Sequence, residues 1–304
     1  MAIIVQLPNP EEMEQTEFST KMVTGSSKLP TETPTLDFCF CDYECDFEEL
    51  VLADLADTDS YKNDRTSFLI EAPDTVGGSF AIRLVRSDGT TVNMTDNTYG
   101  TYFGLGTISG QPLKAGYLVE WQKVAQVEGF GVYSFEVDNV NFGNTITETS
   151  RDFRLLPYSE DNADGTVKIE TIHNGCIEGG IDYTGMNWIR SVRIPAIFNP
   201  SYRLETDNYF DTNNNKTQIR DQVVTEYTLS TERLPSSVMV PFIKDRILAN
   251  SIFITNYNLF SFEDIRQKEV VASEIQEPNF ASTSKKSSFQ FSFEEKLQNI
   301  IKRN

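Results

Sequence analysis

The chain has 304 residues, and its 45 acidic side chains against 26 lysines and arginines give a formal net charge of −19. A hydrophobic fraction of 39% is enough for a folded core, whereas the single histidine, His173, leaves little material for zinc catalysis or a Ser–His–Asp triad. The acidic balance argues against nonspecific wrapping of nucleic acid, and the sequence contains neither an apolar run that could span a membrane nor a secretory signal.

The first fifth of the chain carries most of the excess acid. Residues 1–60 contain 14 Asp and Glu against two Lys, a net charge of −12. Residues 20–35 are rich in Ser, Thr, Pro and Gly, so residues 1–35 are predicted to form an extended acidic arm. The arm is either a solvated tail or a segment that orders on a neighbouring subunit. In the second case Ile3, Ile4, Val5 and Leu7 would form its apolar hook.

The four cysteines are Cys39, Cys41, Cys45 and Cys176. The first three are closely spaced, but neither Cys176 nor His173 supplies a second paired spacing of the kind that zinc sites use. Buried thiols in a protein made inside a cell are therefore favoured over a metal centre.

Residues 36–158 are predicted to form an antiparallel β-sandwich. Short β-prone runs alternate with turn signals, among them the hairpin sequence Ser87-Asp88-Gly89. The run 116–124 is predicted to be one of the strands. In the run 131–140, alternation places Tyr133, Phe135 and Val137 on the core face.

The acidic, turn-forming stretch 158–165 predicts a boundary, after which residues 159–304 form a second β-rich (α+β) domain. Its one predicted main helix lies near 237–250, with Pro241 at the first helical position. The alternation of Phe289, Phe291 and Phe293 predicts a strand whose phenylalanines lie in the core.

No pattern predicts a catalytic, cofactor-binding or metal-binding residue. The run 207–215 looks like a calcium loop but lacks the required glycine and final glutamate, so a polar turn is favoured. The polar-aromatic runs 208–215 and 255–262 are typical of protein–protein interfaces. Trp121 and Trp188 are the tryptophans that a carbohydrate-binding surface would use, but their apolar neighbours favour burial.

Several motifs together resemble virion structural proteins of tailed bacteriophages that infect Bacteroidetes, crAss-like phages included. They are TDNTYGTYFG, SRDFRLLPYSEDNADGTVKIE, YFDTNNNKTQIRDQVVTEYTLST, ILANSIFITNYN and the terminal F-x-F-x-F-x-E-K…IIKRN. The likeness covers about residues 95–304. It implies a β-sandwich tail, neck/collar-ring or baseplate subunit without catalytic residues.

The resemblance implies a cyclic homo-oligomer of six or twelve copies, in contact with neighbouring tail or neck proteins. The subunit would be assembled in the host cytoplasm and would sit in the virion, away from any membrane. An acidic channel would let DNA pass through without sticking. Four arginines are candidates to pair with acidic faces of a neighbour: Arg190, Arg193, Arg220 and Arg246.

Two other classes of function remain. A receptor- or glycan-binding module of a tail tip or bacterial surface would expose a tryptophan. A glycan hydrolase would need two carboxylates facing each other across a cleft, and the sequence indicates no such pair.

Overall fold

The computed structural model describes part of the chain, and all structural statements below concern that part. The described residues are 21–24, 48–72, 79–94, 98–104, 113–141, 144–173, 177–178, 181–182, 188–210, 212, 216–231, 234–235, 249–260, 265–275, 286–296 and 299–302. The predicted hook at Ile3–Leu7, the four cysteines, Arg246 and most of the predicted helix near 237–250 lie outside them.

The fold is mainly β, as the sequence predicts. The strands up to residue 157 are β1 (Lys21–Thr24), β2 (Glu49–Ala53), β3 (Arg65–Ala72), β4 (Ser79–Arg86), β5 (Thr91–Asn93), β6 (Gly100–Gly104), β7 (Leu113–Glu120), β8 (Gly131–Asn141), β9 (Asn144–Thr149) and β10 (Phe153–Pro157). The helices are α1 (Trp121–Glu128) and α2 (Glu160–Ala163).

These strands form two sheets that share one core. The first sheet has the order β1-β3-β7-β6, and the second has the order β2-β10-β8-β4-β5, with β9 on β8. Their pairs are antiparallel except β2 with β10, which is parallel. Tyr133, Phe135 and Val137 are buried against residues of both sheets, as predicted for a sandwich.

Two local predictions in the first half are wrong. The run 116–124 is not all strand, because β7 ends at Glu120 and α1 begins at Trp121. Trp121 packs against Phe135 and Phe153 and donates from Nε1 to Thr66 Oγ1 at 2.8 Å. Tertiary packing of this side chain therefore determines where the strand ends and the helix begins. Lys21–Thr24, placed in the extended arm, instead forms β1 along β3.

The remaining strands are β11 (Thr166–His173), β12 (Ile177–Glu178), β13 (Ile181–Asp182), β14 (Trp188–Phe210), β15 (Lys216–Thr231), β16 (Leu234–Pro235), β17 (Ser251–Asn256), β18 (Lys268–Ile275), β19 (Lys286–Ser287), β20 (Gln290–Glu295) and β21 (Asn299–Lys302). Two further two-stranded sheets are short: β12 pairs with the next strand, β13, and β16 pairs with the distant strand β19. Sheet membership therefore changes between Pro157 and Thr166, within the predicted boundary stretch.

Six of these strands close into an antiparallel barrel. The order is β14-β11-β17-β18-β20-β15, and β15 pairs back onto β14. Phe289, Phe291 and Phe293 are 3%, 0% and 0% exposed within it, which confirms their predicted place in the core. The core also takes side chains from β11, β14, β15 and β17.

Strands β14 and β15 continue beyond the barrel as a paired two-stranded arm. The register runs from Ala196↔Thr231 to Phe210↔Lys216, with an irregularity after Asp207. Strand β21 pairs antiparallel with the free edge of β15 in this arm, at Arg220–Val223. We call residues 200–226 of these strands the hairpin arm.

Candidate functional site

The sandwich and the barrel meet at a buried cluster of charges. The loop between β2 and β3 presents Asp64, 3% exposed, towards the barrel strands β11 and β14. Arg193 of β14 donates to both carboxylate oxygens of Asp64, from Nε at 2.8 Å and from Nη2 at 3.0 Å. The Leu52 amide donates to the same carboxylate at 2.8 Å. This pairing joins the two halves of the chain.

A second cation completes the cluster. Lys168 of β11 lies with Nζ 3.3 Å from both Asp64 and Glu170, and it donates to the carbonyl of Ser60 at 2.7 Å. The cluster thus contains two cations and two carboxylates, each with a partner. Burial alone would raise the pKa of Asp64, but Arg193 and Lys168 hold that pKa below its ordinary value. The arrangement is therefore that of a structural charge network.

Beside this network lies a cavity of about 180 Å³. Tyr61, Tyr158 and Tyr257 line it together with Arg266 and Asn256, among others. The ring of Tyr158 stands edge-on to the other two, with centroid distances of 6.3 Å to Tyr61 and 6.4 Å to Tyr257. We call this the tyrosine pocket.

The network also holds the tyrosine pocket in shape. The Arg193 guanidinium lies over the Tyr257 ring at 4.2 Å, and the Tyr257 hydroxyl donates to the carbonyl of Tyr61. Arg266, which is exposed, lies 4.9 Å over the Tyr61 ring. Burial raises the pKa of both Tyr158 and Tyr257, so both hydroxyls remain protonated at neutral pH. The pocket therefore presents aromatic edges, amides, one exposed guanidinium and the exposed carboxylate of Glu160.

The rim of the pocket is partly apolar. Leu259, which lines the pocket, is 47% exposed, and the next residue, Phe260, is 97% exposed. The sequence did indicate a contact surface here, because the polar-aromatic run 255–262 supplies part of the pocket and its rim. The sequence could not indicate that Tyr61 and Tyr158, from the first half of the chain, would join it.

The hairpin arm carries a second unusual surface. In β14 the even-numbered side chains of Ala196 and Phe198 are buried in the barrel. The same face continues outwards as Tyr202, Leu204 and Phe210, which are 54%, 64% and 58% exposed. Val223, opposite Leu204 in β15, is 40% exposed. The apolar face of the barrel wall therefore runs on into solvent.

The structure places the arginines predicted to contact a neighbouring subunit in different environments. Arg190 and Arg193 are each 2% exposed, so the prediction that they reach a neighbouring subunit is wrong for both. For Arg193 the reason is its pairing with Asp64 of the same chain. Arg220 is opposite Asp207 on the hairpin arm.

Trp121 is 0% exposed, so it is not the surface tryptophan that a glycan-binding module would use. Among the described residues, no group of three His, Cys, Asp or Glu side chains is placed to hold a metal ion. None of the helices in the described ranges is both long and apolar enough to cross a membrane.

Comparison of the sequence with protein-family models finds no match, and comparison with curated proteins finds none either.

Proposed function

We propose that the chain is a non-enzymatic structural subunit of a bacteriophage virion. In this proposal it is a tail, neck/collar-ring or baseplate component that assembles into a cyclic homo-oligomer around the DNA or tail channel. The observation that supports this is the hairpin arm, whose apolar face leaves the barrel and stays exposed at Tyr202, Leu204 and Phe210. Exposed apolar surface that continues a core face marks a contact with another protein.

The polarity of the arm supports a specific contact. Its other face carries charges around the buried Val224, with Arg203 Nη2 3.0 Å from carboxylate oxygens of both Glu205 and Glu226. An arm with one apolar and one charged face fits against a neighbour in one orientation. Repetition of such a head-to-tail contact closes a ring when the rotation between subunits closes. The net charge of −19 suits a channel that DNA slides through.

Native mass spectrometry of the full chain over a range of concentrations tests the proposal. We expect a closed oligomer of six or twelve copies, lost in the variant Phe210→Lys/Val223→Lys. The matched control is Ile197→Lys, because Ile197 is also half exposed but lies on the opposite face of β14. A chain that forms no closed oligomer at any concentration contradicts the ring.

The tyrosine pocket supports a second candidate, a receptor- or glycan-binding module of a tail tip or bacterial surface. Its volume of about 180 Å³ is below the range of pockets for drug-sized ligands, so it would take a single sugar ring or one side chain. A glycan array with the full chain tests this, with Arg266→Ala as the pocket variant. Binding that Arg266→Ala weakens would favour the second candidate.

A further inference from the structure

The outer edge of β14 on the hairpin arm offers a row of backbone groups for strand pairing. Strand β11 pairs with β14 as far as Pro195, and no described strand pairs with that edge beyond this residue. The amide of Ala196 donates to Gly165 across the edge, and the carbonyl of Ala196 accepts from Asn258 Nδ2 at 3.1 Å. The backbone groups of even-numbered residues therefore point outwards along β14.

The part of the edge nearest the barrel is already closed. Asn258 Nδ2 donates to the Ala196 carbonyl, and Asn256 Nδ2 donates to the Phe198 carbonyl at 3.0 Å. The next even residue is Pro200, which has no amide hydrogen to offer. Beyond it, Tyr202, Leu204 and Thr206 point their amides and carbonyls outwards. The long contact from Asn208 Nδ2 to the Thr206 carbonyl, at 3.4 Å, is one that a backbone amide would replace.

We infer that this edge, from Pro200 to Asn208, pairs antiparallel with the same edge of a second copy of the chain, around a two-fold axis at Leu204. The two-fold axis requires that directly opposite residues have numbers with a constant even sum. Even residues then face even residues, and the outward backbone groups of both copies meet. The apolar faces of the two arms become one continuous face.

The charges on the arm select this register. With the axis at Leu204, Arg203 of each copy is opposite Glu205 of the other, which gives two equivalent pairs of opposite charge. An axis at residue 203 would place Arg203 opposite itself, and one at residue 205 would do the same for Glu205. Like charges directly opposite each other destabilise a sheet. Arg203 and Glu205 are 55% and 51% exposed as side chains, so both are accessible to a second copy.

This contact does not depend on the proposed virion role. A two-fold contact closes on itself and makes a dimer, whereas a ring needs a separate head-to-tail contact. The dimer uses the edge of the arm, while the ring proposal uses its apolar face.

Disulfide cross-linking of the full chain tests the pairing. In Leu204→Cys the two introduced cysteines would be directly opposite, at about 5.5 Å between Cα atoms, within the range for a disulfide. In the control Thr206→Cys, the two cysteines would be about 14 Å apart along the strands, too far for a bond. The unmodified chain measures any cross-linking through the four native cysteines.

We expect Leu204→Cys to form a covalent dimer on mild oxidation, and Thr206→Cys to remain at the level of the unmodified chain. Mixing Tyr202→Cys with Thr206→Cys should produce a mixed dimer, because residues 202 and 206 are opposite in this register. Equal cross-linking of Leu204→Cys and Thr206→Cys would overturn the inference.

Charge exchange gives an independent readout by sedimentation. Arg203→Glu should weaken the dimer about tenfold, since it places two acidic pairs opposite each other. The exchange Arg203→Glu/Glu205→Arg should restore the affinity, because each pair again has opposite charges. A double variant as weak as the single one would count against the pairing. If Leu204→Cys cross-links but native mass spectrometry finds no ring, the dimer is supported and the ring is rejected. If a ring is found but Leu204→Cys does not cross-link, the ring is supported and the dimer is rejected.

Discussion

Asp64 is the residue on which the contact between sandwich and barrel depends. Its carboxylate accepts from Arg193 and from the Leu52 amide and lies beside Lys168, all in a region closed to solvent. A buried charge is tolerated only when paired, because the lost hydration must be replaced by partners. Removing one member leaves the others uncompensated.

We therefore expect Asp64→Asn to lower the free energy of unfolding by about 3–5 kcal/mol at neutral pH. Urea unfolding followed by circular dichroism measures the loss. The control is Glu120→Gln, which removes one member of the surface pair Glu120–Lys123 and should cost less than about 1 kcal/mol. Similar losses in the two variants would show that Asp64 is not a structural charge.

The same residue should make stability depend on acidity. Because the folded-state pKa of Asp64 is below its ordinary value, its contribution is present above the unfolded-state pKa and is lost as the pH falls through the folded-state value. The difference in unfolding free energy between the wild type and Asp64→Asn should therefore shrink between neutral pH and the acid range. Urea titrations at several pH values would show this. A difference that stays constant down to the acid limit would contradict it.

At the scale of elements, the pairing of β6 with β7 depends on a glycine. Gly100 is opposite Val119, and a Cβ added to Gly100 would lie 1.9 Å from the Leu118 carbonyl oxygen. Backbone cannot yield as a side chain does, so the strands would have to separate.

Gly100→Ala should cost about 1–3 kcal/mol of unfolding free energy, the usual range for overpacking. The comparison variant is Gly89→Ala, in the hairpin turn after β4. There the cost comes from the backbone angle φ of +79° and not from a clash, since no atom lies within 4 Å of the added Cβ. Equilibrium denaturation of both measures the difference. A neutral Gly100→Ala would mean that β6 moves away from β7 without cost.

The sequence predicted which strand faces are buried better than it predicted which distant residues contact each other. Alternation placed Phe135 and Phe291 correctly in two cores, because period-two patterns report which face of a strand is buried. Helix α1 was missed, because Trp121 and Val124 are as common in strands and only their packing decides the structure. Asp64 and Arg193 are 129 positions apart, so their pairing has no local signature. The tyrosine pocket was missed for the same reason.

At the scale of the whole molecule, the charge network makes sandwich and barrel interdependent. Loop residues 54–64 belong to the sandwich half, but they accept hydrogen bonds from Lys168 of β11 and Arg193 of β14. The small apolar cluster of Leu52, Ala163 and Tyr257 provides a second contact between the two halves at the same place. We expect the two halves to unfold together.

Differential scanning calorimetry checks this cooperativity. The wild type should show one transition, with calorimetric and van't Hoff enthalpies that agree. Asp64→Asn should split it into two transitions or lower the van't Hoff enthalpy below the calorimetric one. Two separate transitions already present in the wild type would show that the network does not couple the halves.

The arm and the barrel wall also share their strands, which has a mechanical consequence. A pull on the arm tip passes into β14, whose body end is held against β11 by the ladder from Thr166↔Pro195 to His173↔Trp188. Hydrogen bonds in that ladder lie across the direction of the pull, so they stretch together and do not open one at a time. Tension applied at the tip of the hairpin arm would thus be shared by the whole β11–β14 ladder, and it would not peel the barrel open.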